Sequence, residues 1–132
     1  MTFQIAAALA AFLAASNSDV PPPQLQPAAA QQSVPLIEPA ELKALMASPV
    51  RFVLVDVRRP DEFAAGHIDG AMPMPLDSLP TTYAQLPRDV KLVVYCRSGH
   101  RSAQAVSFLL ANGYSLAVSL HGGYLAWTGQ HP

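Results

Sequence analysis

LVVYCRSGHRS, residues 92–102, joins an apolar strand to the start of a helix and decides the fold of this chain. Residues 92–95 are apolar throughout, which is typical of a parallel strand buried on both faces. The segment that follows ends at Asn112-Gly113, a usual helix stop, and repeats apolar residues at helical spacing: Ala103, Val106 and Leu110. Cys96 therefore lies where a strand ends and a helix begins, which is the edge where open α/β sheets bind ligands.

Cys96 is the only cysteine of the chain, and its neighbours favour a nucleophile. Backbone N–H groups of such a turn and the helix dipole add partial positive charge, and Arg97, Arg101 and a protonated His100 add formal charge. Such settings lower the pKa of a thiol from about 8.5 to about 3.5–7.5. We therefore expect a partly exposed thiolate that attacks an anionic or sulfur-rich substrate. The alternative is a structural cysteine sealed inside the core.

The composition bounds the classes of function that remain open. The chain has 132 residues and a net charge of −1, which fits one domain and argues against nucleic acid or an anionic membrane surface as the main partner. A single cysteine forbids an internal disulfide and a zinc site built on several thiolates. It also leaves no internal resolving thiol, so an oxidised or sulfur-loaded cysteine must be discharged by another molecule.

The chain divides into three segments by composition. Residues 1–16 are apolar with a small-residue cleavage site, which fits a signal peptide and is too short for a stable membrane span. The first basic residue is Lys43, so the usual positive start of a signal peptide is missing. We expect export to the periplasm, with the cytoplasm as the alternative. Residues 17–33 form a Pro/Ala/Gln-rich linker, and residues 34–130 form the globular domain.

Short apolar runs alternate with helical segments throughout the globular part, and this alternation predicts a mainly parallel sheet covered by helices on both faces. The predicted strands are 34–37, 52–55, 71–74, 92–95 and 116–120. The predicted helical segments are 39–47, 60–65, a weak 78–86 broken by Pro80, the helix after residue 99, and a final turn or helix after Gly122-Gly123.

Five segments in one order resemble the single-domain rhodanese-like sulfurtransferases, and the resemblance extends over about residues 34–127. They are Asp56-Val57-Arg58, Glu62-Phe63, Gly66-His67-Ile68-Asp69-Gly70-Ala71, the cysteine loop at 96–102, and Gly122-Gly123-Tyr124-Leu125-Ala126-Trp127. The resemblance implies a rhodanese-like three-layer α/β sandwich and a persulfide on Cys96. It implies transfer of sulfane sulfur from a thiosulfate-like anionic donor to cyanide or a thiol, with a sulfur-acceptor protein as a further candidate partner. No cofactor and no metal are expected.

The loop residues have expected roles in this chemistry. By analogy with the family, Arg101 lies near the sulfonate of the donor, while Arg97 steers anions from the rim. Gly99 lets the backbone approach the sulfur closely. His100 tunes the site or docks the acceptor, and two hydroxyls could add hydrogen bonds: Ser98 and Ser102.

Two supporting residues follow the strand at 52–55. Asp56 either orients the loop and its arginines or acts as an ordinary cap. Arg58 is expected to form a structural ion pair with Glu62 or Asp61.

Two other functions remain open. Resemblance to the dual-specificity phosphatases of this fold would imply five residues between the cysteine and the arginine, whereas here four residues, 97–100, separate Cys96 from Arg101. That comparison makes a phosphatase or arsenate reductase the second interpretation. The third is a binding module that docks a sulfur carrier without turnover.

Overall fold

A computed structural model describes residues 34–129, and a five-stranded parallel sheet forms its centre. The spatial order of the strands is β1-β5-β4-β2-β3. Their bounds are β1 Leu36–Ile37, β2 Phe52–Asp56, β3 Met72–Pro73, β4 Lys91–Tyr95 and β5 Ala117–Leu120. The sheet therefore places β4, the strand that leads to Cys96, between β2 and β5.

Within residues 34–129, four helices lie between successive strands and a fifth follows β5: α1 Pro39–Met46, α2 Pro60–Ala65, α3 Leu79–Thr82, α4 His100–Ala111 and α5 Gly123–Thr128. Neighbouring residues of β4 enter different cores, since Val94 packs with Phe108 of α4 whereas Val93 packs with Leu42 of α1. Because successive strand residues point to opposite faces, the two cores lie on opposite sides of the sheet. The rhodanese-like three-layer architecture expected from the sequence is confirmed.

The predicted weak helix at 78–86 has a different form. It is a short helix, α3, between two single 3₁₀ turns at Leu76–Ser78 and Tyr83–Gln85. Pro80 lies in the first turn of α3 and does not break it. A proline is tolerated there because the N–H it lacks would have no partner within the helix.

The predicted signal segment and linker, residues 1–33, lie outside the part of the chain that the structure describes. Within residues 34–129, none of the helices has the length and apolar character needed to cross a membrane.

Candidate active site

Cys96 follows β4 directly, and the loop of residues 97–99 leads from it into α4. Gly99 has a φ of +118°, a conformation that a residue with a side chain rarely adopts. This turn aims the Gly99 N–H at Cys96 Sγ, at 3.1 Å. The sequence predicted several inward-pointing amides, and this one is the backbone donor that the structure places on the sulfur.

Ser102, one turn into α4, supplies the second polar contact of the sulfur. Its Oγ lies 3.6 Å from Cys96 Sγ, and its hydroxyl also donates to the Gly99 carbonyl at 3.2 Å. A third partner, the Ser119 hydroxyl on β5, lies 2.8 Å from Ser102 Oγ. Ser98, the other hydroxyl expected to help, is exposed.

The expectation of a partly exposed thiol is wrong, because Cys96 is only 1% exposed and packs among core residues. The exposed residues Arg97, Ser98 and His100 lie outside it. Yet the sulfur is not in purely apolar surroundings, since it contacts an amide and a hydroxyl. A cysteine that merely fills space does not need such partners. The Cys96 sulfur is therefore buried but has two polar partners, the Gly99 N–H and the Ser102 hydroxyl, which we call the polar cradle.

Arg101 is held by a carboxylate. Its two terminal nitrogens donate to Glu62 on α2 at 2.8 and 3.2 Å. The hydrogen bonds from Arg101 lower the pKa of Glu62 from 4.5 to about 2. In turn, Glu62 raises the pKa of Arg101. The resemblance to the family predicted that the Arg101 guanidinium lies near the sulfonate of the donor. In the structure, Glu62 neutralises its charge.

Arg58 forms its ion pair with a residue other than the predicted ones. Its Nε and Nη2 donate to the Asp56 carboxylate at 2.8–3.1 Å, and its Nη2 donates to the Gly66 carbonyl. Both side chains are buried, and the Arg58 guanidinium lies over Tyr124 at 4.4 Å. The expected pairing with Glu62 or Asp61 is wrong, because β2 ends so that Asp56 and Arg58 point to the same side. Asp56 therefore orients Arg58, which is not one of the loop arginines that it was expected to orient, and it also accepts the Arg58 backbone N–H at 2.9 Å in the manner of a local cap.

A pocket of about 280 Å³ opens beside the cysteine loop. Its wall mixes charged, aromatic and small residues: Arg58, Glu62, Ala65, Gly66, Arg97, Tyr124 and Leu125. Among the described residues, Arg97 makes no ion pair, whereas the other two arginines near the loop do. The pocket therefore presents one unneutralised cation to an incoming molecule.

The start of α5 donates hydrogen bonds to the backbone of Cys96 and Arg97. Tyr124 N–H donates to the Cys96 carbonyl at 2.8 Å, and Leu125 N–H donates to the Arg97 carbonyl at 3.0 Å. Gly123 lies so close that an added Cβ would be 2.6 Å from the carbonyl oxygens of both residues. The sequence analysis missed this contact, although the Gly122-Gly123 pair was the available signal.

Sequence reasoning also missed Ser119 and the role of Glu62. The signal for Ser119 was a lone hydroxyl in the apolar run 116–120. Nothing in the sequence indicated that Glu62 pairs with Arg101, which lies 39 residues away along the chain. Within residues 34–129, no cluster of three or more His, Cys, Asp or Glu side chains is placed to hold a metal ion.

Comparison with known proteins gives a consistent result. The model of the rhodanese-like domain matches residues 38–130. A sulfurtransferase from Allochromatium vinosum is 38% identical over 91 residues, covering 69% of this chain and 85% of that protein. The thiosulfate sulfurtransferase GlpE from Stutzerimonas stutzeri is 40% identical over 80 residues, covering 61% and 73%. The structure of the human single-domain sulfurtransferase TSTD1 superposes with a TM-score of 0.65 at 30% identity, covering 76% and 100%. The chain belongs to the rhodanese-like domain family.

Proposed function

We propose that this protein is a sulfurtransferase that carries sulfane sulfur as a persulfide on Cys96. The observation that carries the proposal is the polar cradle around a single cysteine, in which the Gly99 N–H donates to Sγ at 3.1 Å. An N–H donor held in place stabilises negative charge on sulfur without reorganisation. The names of two relatives, a sulfurtransferase and a thiosulfate sulfurtransferase, support the same chemistry.

The proposed donor is thiosulfate or a similar anion. A lone pair of the Cys96 thiolate attacks the outer sulfur, and the bond between the two thiosulfate sulfurs breaks with its electron pair leaving on sulfite. The products are an anionic persulfide on Cys96 and sulfite. Cyanide or a thiolate then attacks the outer persulfide sulfur and leaves with it, which restores the Cys96 thiolate. Neither step requires a general base once the sulfur is ionised.

The burial of Cys96 adds a requirement to this proposal. With 1% of its surface exposed, the sulfur meets a donor only when the loop of residues 97–99 shifts. Arg97 and Ser98 are exposed and Gly99 is partly exposed, so a local shift of this loop exposes the sulfur at the cost of its hydrogen bond from Gly99 N–H, while Leu125 N–H holds the Arg97 carbonyl. Loop opening is thus part of the proposed cycle.

Donor recognition is assigned to the pocket beside the loop. Two of its neighbouring cations are neutralised, Arg58 by Asp56 and Arg101 by Glu62. Arg97 is the remaining loop arginine, and it lines the pocket. We assign to Arg97 the attraction of the anionic donor, with a guanidinium suited to oxyanions.

Steady-state kinetics test the proposed function against its alternatives. We expect thiocyanate formation from thiosulfate and cyanide by the wild type, none by Cys96→Ser, and no hydrolysis of an aryl phosphate by either protein. Phosphate release without thiocyanate formation would favour the phosphatase. Absence of both activities, with partner binding retained by Cys96→Ala, would favour the non-turnover module.

A further inference from the structure

Ser119 is a buried hydroxyl on a central strand, directly behind the site. It lies on β5 opposite Val94 of β4 and is 1% exposed. Its neighbours within the strand are apolar, and the partner of its hydroxyl lies on α4. That partner is Ser102, itself fully buried, with the two Oγ atoms 2.8 Å apart.

Counting hydrogens fixes the direction of this contact. Among the described residues, Ser102 Oγ is the hydrogen-bond partner of the Ser119 side chain. Leaving a buried hydroxyl hydrogen without an acceptor costs about 1–3 kcal/mol, so Ser119 donates and Ser102 accepts. The single hydrogen of Ser102 is then available for either the Gly99 carbonyl at 3.2 Å or Cys96 Sγ at 3.6 Å.

These two choices match two states of the sulfur. When Cys96 is a thiol, its S–H donates to Ser102 Oγ, and Ser102 donates to the Gly99 carbonyl. When Cys96 is ionised, the Ser102 hydrogen turns to the sulfur while Ser119 continues to donate to Ser102. Hydrogen bonds arranged in such a chain strengthen one another.

We propose that Ser119 is a positioning residue for sulfur transfer, acting through Ser102 to direct a hydroxyl hydrogen onto ionised Cys96. The proposal rests on the proposed function for its catalytic meaning, although its effect on the ionisation of the cysteine does not need turnover. Among the described residues, the hydrogen-bond partner of the Ser119 hydroxyl is Ser102 and not the sulfur, and Ser119 does not line the pocket. Its influence is confined to the contact with Ser102.

Other charged groups lie on the elements around the cysteine loop and stay unchanged when the Ser119 hydroxyl is removed. They lie on the loop, on α2, on α4 and at the end of β2: Arg97, His100, Arg101, Glu62, and Arg58 paired with Asp56. A change in the ionisation of Cys96 in a Ser119 variant therefore reports the hydroxyl chain.

The test follows the ultraviolet absorbance of the thiolate against pH, with Cys96→Ser as the baseline. Because the chain has one cysteine, the signal belongs to Cys96 alone. We expect Ser119→Ala to raise the midpoint of the Cys96 ionisation by about half a pH unit to one pH unit, which corresponds to the free energy of one net hydrogen bond. Ser119→Thr, which keeps a hydroxyl, should restore most of the shift.

Kinetics give a second readout that simple destabilisation would not produce. At pH values below the midpoint, Ser119→Ala should lower kcat/KM by about 3- to 10-fold, because the same shift lowers the fraction of Cys96 present as thiolate by that factor. The loss should disappear at alkaline pH. The matched control is Ser78→Ala, which removes a hydroxyl bonded to the Pro75 carbonyl away from the site and should leave both profiles unchanged.

The outcomes separate this inference from the proposed function. If Ser119→Ala titrates at the wild-type midpoint while the wild type produces thiocyanate, the assignment of Ser119 is overturned and the function stands. If the wild type produces no thiocyanate but the midpoint shifts, the function fails and the hydroxyl chain stands. An activity loss in Ser119→Ala that is equal at all pH values also overturns the assignment.

Discussion

Replacing Gly123 by alanine is the sharpest perturbation that the structure offers, because it acts on the backbone of the nucleophile without touching a charge. Gly123 has a φ of +63°, and an added Cβ would lie 2.6 Å from the Arg97 carbonyl carbon and from the carbonyl oxygens of Cys96 and Arg97. All three are backbone atoms that cannot rotate away. Either the backbone of Cys96 and Arg97 or the start of α5 must therefore move, and both change the hydrogen bonds between them.

The expected cost has two parts. A left-handed conformation costs an alanine about 1–2 kcal/mol, and overpacking of a close contact costs about 1–3 kcal/mol. Gly123→Ala should therefore lower the free energy of unfolding by about 2–5 kcal/mol. A displacement of the nucleophile by about 1 Å should also lower kcat/KM by about 100-fold.

The assay combines urea unfolding with thiocyanate formation, and Gly70→Ala is the matched control. Gly70 has a φ of +85°, but nothing lies within 4 Å of its added Cβ. The control therefore carries the conformational strain without the clash, and should lose about 1–2 kcal/mol of stability and little activity. Equal activity losses in the two variants would refute the reasoning, since the contact with Cys96 and Arg97 would then have no effect of its own.

Three further predictions rest on single contacts. The folded-state pKa of Glu62 lies below its ordinary 4.5, at about 2, so its pairing with Arg101 contributes stability above pH 4.5 that is lost as the pH falls toward 2. Because solvent partly screens this pair, the free energy of unfolding should fall by about 1 kcal/mol over this pH range, and Glu62→Gln should remove that fall. Tyr95→Phe removes the acceptor of the buried Ile68 N–H and should cost about 1–3 kcal/mol in urea unfolding; an unchanged midpoint would show that this N–H finds another acceptor. Since Cys96 is 1% exposed, a bulky maleimide should label it more slowly than iodoacetamide in the native state, when each rate is divided by the rate of that reagent with a free thiol. In urea the two relative rates should be equal. Rapid labelling of the native protein by the maleimide would contradict a buried sulfur.

The layout of the fold follows from local patterns in the sequence. The apolar run before Cys96 predicted β4, and the helical spacing after it, closed by Asn112-Gly113, predicted α4 at His100–Ala111. These elements could be predicted because both faces of a covered parallel strand must be apolar, which leaves a readable run. Pro80 was misjudged because a proline in a first turn and a proline that breaks a helix look alike in sequence.

The partners within the site could not be predicted in the same way. The preference of guanidinium for carboxylate predicted Glu62 or Asp61 as the partner of Arg58. The fold instead brings Glu62 to Arg101 on α4 and turns Arg58 back to Asp56. Such choices depend on where the fold brings Glu62 of α2 to Arg101 of α4, a long-range arrangement that local patterns do not encode. The burial of Cys96 was missed for the same reason.

The most direct test of the account is the mass of the intact protein after treatment with thiosulfate and removal of the free donor. We predict a gain of about 32 Da, the mass of one sulfur atom, which localises to Cys96 and disappears when cyanide is added. Cys96→Ser should show no gain. An unchanged mass of the wild-type protein, or a gain that cyanide does not remove, would contradict a persulfide carried by Cys96.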